Sequence, residues 1–86
     1  MLVSIEISLY PLNTDFIPAV DDLIDRLQCY QNIEVRTNVM STHLFGDLND
    51  LMEILKLEID RTFNRELSSV FSIKIVNGDS RKYGEG

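Results

Sequence analysis

The chain has no tryptophan, one histidine, one cysteine and two prolines in 86 residues. A lone cysteine, Cys29, excludes an intramolecular disulfide and suits a reducing compartment such as the cytoplasm. One His and one Cys on different elements supply neither a metal-ligand set nor a Cys–His catalytic pair. Basic residues are also scarce, 8 against 14 acidic ones, for a net charge of −6. Nucleic acid is therefore not an expected partner, because its binding depends on neutralising phosphates. There is no phosphate-binding glycine loop. The segment PLNTD, residues 11–15, has no arginine to cradle an acyl phosphate. No stretch approaches the roughly 20 apolar residues of a membrane span. The first residues alternate and carry no basic n-region, so no signal peptide is expected.

What is present suffices for one small folded domain. Hydrophobic residues make up 44% of the chain, normal for a globular protein. A domain of this size buries only about 60–65% of its unfolded surface, so association with further copies is a natural way to bury more.

The apolar pattern changes period along the chain. Val3, Ile5, Ile7 and Leu9 recur every second residue, which predicts a half-buried strand ended by Pro11. Thr14 or Asp15 is placed to cap a helix over 16–29, where Phe16, Ile17, Val20, Leu23, Ile24 and Leu27 form a stripe. Asp21, Asp22, Asp25 and Arg26 fall on its wet side. Residues 33–37 alternate as a second strand, with a turn at 37–39 and a third strand over 40–46. Asp47 caps a second helix whose stripe is Leu48, Leu51, Met52, Leu55, Ile59 and Phe63, widened by Ile54 and Leu57. Residues 69–76 make a fourth strand with Phe71, Ile73 and Ile75 on one face. The order is β-α-β-β-α-β. It predicts an α+β ferredoxin-like sandwich, a four-stranded antiparallel sheet with both helices on one face. Residues 1–77 form the domain, and 78–86 are expected as a polar, flexible tail.

Strand parity then fills the opposite, open face. It receives Ser4, Glu6, Ser8 and Tyr10 from the first strand, and Ser41, His43 and Phe45 from the third. The fourth strand adds Ser72, Lys74 and Val76, and the second adds Glu34 and Arg36. A single copy would leave Tyr10, Phe45 and Val76 wet, which predicts a face covered by another subunit.

Three short motifs carry a resemblance: EISLYPL at 6–12, MST at 40–42 and FSIKI at 71–75. Together they resemble the small thiamine-binding-protein family, the YkoF-like group, over residues 2 to about 77. The chain departs from that pattern at LFGD, 44–47, and VNGDSR, 76–81. The resemblance implies a cytoplasmic protein, not an enzyme, that binds thiamine or its hydroxymethylpyrimidine portion, without a cofactor. It also implies dimers or tetramers assembled through the sheet. Ser8 and Tyr10 match SLYPL, and Met40, Ser41 and Thr42 match MST. These are the expected binding residues, with Glu6 as countercharge to the thiazolium. Ser8 and Thr42 fall on opposite faces of the sheet, so either one pocket sits at a strand end or edge, or one of them is not a contact. The other function class that the sequence allows is an oligomerisation module with no small ligand.

Overall fold

The computed structural model describes residues 1–12, 16–38, 41–65 and 68–83. The expected order is observed: β1 (Leu2–Pro11), α1 (Phe16–Gln28), β2 (Glu34–Thr37), β3 (Thr42–Asp47), α2 (Leu48–Arg65) and β4 (Ser69–Asn77). A short 3-10 turn, Ser80–Tyr83, follows. The four strands form one sheet in the order β2-β3-β1-β4. All neighbours are antiparallel. This is the ferredoxin-like sandwich.

Local chemistry sets the element ends. Pro11 closes β1, as expected of a residue with no N–H for a further rung. The Asp47 carboxylate accepts from the backbone N–H of Asn49 at 3.0 Å and of Asp50 at 3.4 Å, and so caps α2. Gly78 turns the chain after β4 at φ 91°, a region that favours glycine. The expected caps of α1, Thr14 and Asp15, lie outside the described residues.

Val3, Ile5, Ile7 and Leu9 face the helices and are fully buried with Leu44, Leu23, Leu27, Leu51, Ile54 and Leu55. The parity of β1 is therefore as the sequence predicts. The phase of α2 is not. Its buried residues are Leu51, Ile54, Leu55, Glu58 and Thr62. Met52, Leu57 and Phe63, expected in the stripe, are exposed. The physical reason is a polar seam between the helices. Glu58 is 1% exposed. It accepts from Arg26 Nε at 2.5 Å, Tyr30 Oη at 2.7 Å and Arg61 at 3.2 Å. Arg26 also bonds Thr62 at 3.0 Å and pairs with Asp22, which pairs in turn with Arg65. Arg26 and Asp22 thus sit at the α1–α2 seam, not on a wet face. On β4, Phe71 and Ile73 are half-buried, but Ile75 is exposed. Phe71 and Ile73 pack against the core from the β4 edge, and the Phe71 ring meets Phe63 of α2 edge-on at 5.6 Å.

The open face holds the expected side chains in register. Ser4 lies between Phe45 and Val76, Glu6 between His43 and Lys74, and Tyr10 beside Val70. One end of this face is covered by the chain itself. Ser4 Oγ donates to the Gly78 carbonyl at 2.9 Å and accepts from Ser80 N–H at 2.8 Å. The Arg81 guanidinium stacks 4.7 Å from the Phe45 ring, held by Asp79 and Glu34. Phe45 is consequently 5% exposed, where an uncovered ring was expected. Tyr10, Val70 and Val76 remain about half exposed, as expected for a single copy.

Two outcomes test this packing. Leu51→Ala should cost about 2–5 kcal/mol in denaturant unfolding, whereas Met52→Ala should cost about 0.5 kcal/mol or less. Equal costs would place the helix in the phase the sequence suggests. The second concerns alkaline pH. The hydrogen bond to Glu58, then burial and the Glu58 charge, raise the Tyr30 phenol above its ordinary value. A raised value means that the neutral phenol is favoured in the fold. Its contribution is complete below about pH 10 and is lost as pH climbs through the raised value. Tyr30→Phe should therefore lower stability at neutral pH by about 1–2 kcal/mol and flatten the alkaline decline, as read by unfolding at stepped pH.

Candidate functional site

The sheet is not matched at one end. Pairing of β1 with β3 stops at Ile7 and Thr42 among the described residues, while pairing with β4 continues to Pro11 and Ser69. From Ser8 to Pro11, then, one edge of β1 lacks a described strand beside it. A cavity of about 130 Å³ opens there, between the end of β1, the start of β3 and α1. Its apolar wall comes from Ile7 and Leu9 on β1 and Val20, Leu23 and Ile24 on α1. Its polar groups come from Ser8, Tyr10, Asn38, Ser41 and Thr42.

Four of the six expected binding residues meet in this cavity. Ser8 and Tyr10 arrive from the open face and Thr42 from the helix side, and the strand end is where the two faces meet. Met40 lies outside the described residues. Glu6 does not line the cavity. It stands on the open face and accepts from Ser41 Oγ at 3.4 Å, with Lys74 Nζ at 3.7 Å and His43 Nε2 at 3.8 Å. Ser41 is thus shared between the cavity and the open face. Its position is fixed locally: its N–H donates to Asn38 Oδ1 at 2.9 Å, and Asn38 N–H donates to its carbonyl at 3.0 Å.

Sequence reasoning missed the α1 wall and Asn38. Val20, Leu23 and Ile24 read as core because a cavity wall and a core stripe have the same period. Asn38 was placed in a turn, which is correct, and only its nearness to β1 gives it a second role.

The polar groups beside the cavity are linked to one another. Ser41 Oγ is 3.0 Å from His43 Nε2, within reach of a nucleophile and its base. In such a pair a carboxylate orients the base through its other ring nitrogen. Here Glu6 stands beside the same nitrogen that faces the serine. The group is a hydrogen-bond chain, not a triad. Among the described residues no cluster of three or more His, Cys, Asp or Glu could hold a metal ion. No helix is long and apolar enough to cross a membrane.

The profile of the YKOF-related family matches residues 2–75. No curated protein matches the chain. Among solved structures, the fold is similar to a Streptococcus pneumoniae protein with 26% identity and a TM-score of 0.86, covering 99% of this chain and 96% of that one. It is also similar to a hypothetical protein of Methanocaldococcus jannascii, with 26% identity and a TM-score of 0.80, covering 98% and 97%. A Thermotoga maritima protein, described as a candidate for thiamine biosynthesis or salvage, shares the fold at a TM-score of 0.86 with 14% identity, covering 99% and 98%.

Proposed function

The chain belongs to the YKOF-related family, and on that premise we propose that it is a non-catalytic, homo-oligomeric binding protein for thiamine or its hydroxymethylpyrimidine half. The observation that carries this reading is the cavity at the end of β1, where the residues of two separate motifs, SLYPL and MST, share one lining. The description of the Thermotoga maritima protein supports the same ligand class.

The cavity dictates which part of the ligand enters. Pockets for whole drug-sized ligands run about 300–1,000 Å³. A volume of about 130 Å³ is smaller, near the roughly 150 Å³ that accepts one benzene ring. Either ring of thiamine is of that size, and the hydroxyl and amide lining favours the aminopyrimidine. Its flat faces meet Leu9, Leu23 and Ile24, and its polar edge meets hydroxyls and the Asn38 amide. The thiazolium then stays at the mouth, towards Tyr10, in the field of an acidic protein. Glu6 acts from outside the cavity, through Ser41 and by charge. The homo-oligomer is supported by the half-exposed Tyr10, Val70 and Val76 on the open face.

Binding is tested by calorimetry with thiamine and with hydroxymethylpyrimidine. Ser8→Ala should weaken binding by up to roughly tenfold, the range for one hydroxyl. Tyr10→Ala should weaken it more, and Tyr10→Phe, which keeps the ring, less. No saturation by either compound at millimolar concentration would remove the ligand and leave an oligomerisation module. Sedimentation at tens of micromolar should show a dimer or tetramer, and a monomer would remove the assembly.

A further inference from the structure

Ser41 has one proton to give and two neighbours that want it. Its Oγ lies 3.0 Å from His43 Nε2 and 3.4 Å from Glu6 Oε2. A carboxylate only accepts, so the contact with Glu6 exists only if the serine donates to it. In the orientation that satisfies both contacts, Nε2 carries the hydrogen and donates to the serine. The Glu6 carboxylate also lies 3.8 Å from that same nitrogen. The chain therefore runs in one direction, from His43 to Ser41 to Glu6. Arg36 on β2, paired in register with His43, and Lys74 on β4 are the other charges near this chain.

We propose that His43 and Glu6, neither of which lines the cavity, fix the Ser41 hydroxyl so that it presents only a lone pair to the ligand. Resting on the ligand reading above, this makes Ser41 a reader of a ring donor. An aminopyrimidine offers an N–H there. A pyrimidine with an oxo group at the same position offers an acceptor, and two acceptors face each other. His43 is a positioning residue, and the selectivity of the pocket is set on the far side of the strand from the ring it selects.

The test compares calorimetric binding of 4-amino-5-hydroxymethyl-2-methylpyrimidine with that of its 4-oxo counterpart. The wild-type chain should prefer the amine by about tenfold or more, the range for one mispaired buried group. His43→Leu and Glu6→Ala free the hydroxyl to rotate and should shrink that preference severalfold, with melting temperatures near wild type. His43→Gln, whose amide can still donate to Ser41, should retain most of it. If His43→Leu leaves the ratio unchanged, or His43→Gln loses it equally, the relay is overturned while the ligand reading stands. If the wild-type chain binds neither ring, the ligand reading fails and the relay with it.

Discussion

The pairing of β1 on both its edges is the constraint on which the rest depends. With β3 on one side and β4 on the other, β1 cannot slip by one residue without turning Val3, Ile5, Ile7 and Leu9 to the open face. That register fixes Ser4, Glu6, Ser8 and Tyr10 on the opposite face as a consequence, not as a separate choice. It also makes the site. β4 accompanies β1 to Pro11, whereas the described part of β3 begins only at Thr42, opposite Ile7. Among the described residues the overhang leaves one edge of β1 without a strand beside it, and the cavity occupies the step.

What the sequence reveals follows from this. A strand with period two declares both of its faces, so the open-face residues of all four strands were legible before any coordinates. The α2 helix was not. Met52 and Leu57 carry the apolar signal but are exposed, and Phe63 is half exposed against Phe71, while Glu58 and Thr62 are buried. No local rule turns a glutamate towards a core. The turn is made by Arg26 and Tyr30, about thirty residues away in the chain. Four residues of the cavity lining, Ser8, Tyr10, Ser41 and Thr42, were legible through their motifs, and the strand-end location through the parity conflict between Ser8 and Thr42. The α1 wall was not separable from core. The chain's return over Phe45 was hidden as well, because NGDSR reads as turn chemistry whether or not Arg81 finds a ring to cover.

That return divides the open face. At the Ser4 end, Gly78, Ser80 and Arg81 supply the cover. At the other end Tyr10 and Val70 form a half-exposed patch, and Tyr10 belongs both to that patch and to the cavity lining. In the proposed assembly a second subunit on this patch would lie against the mouth of the cavity. Ligand and subunit would then share a residue, which is a direct route for each to alter the affinity of the other.

The seam between the helices has a bearing on the same site. Burying Glu58 costs desolvation, and a well-packed hydrophobic replacement of such a group is often no less stable. Stability alone is therefore a poor reason for Arg26, Tyr30 and Arg61 to converge on it. Geometry is a better one. An apolar seam tolerates sliding, because dispersion contacts have little direction. A carboxylate held by two guanidinium groups and a phenol tolerates far less. The seam fixes α1 against α2, and α2 is fixed against β3 through the buried residues Leu51, Ile54 and Leu55. Val20, Leu23 and Ile24, which line the cavity, ride on α1. A polar group buried away from the cavity thus bears on the position of one of its walls.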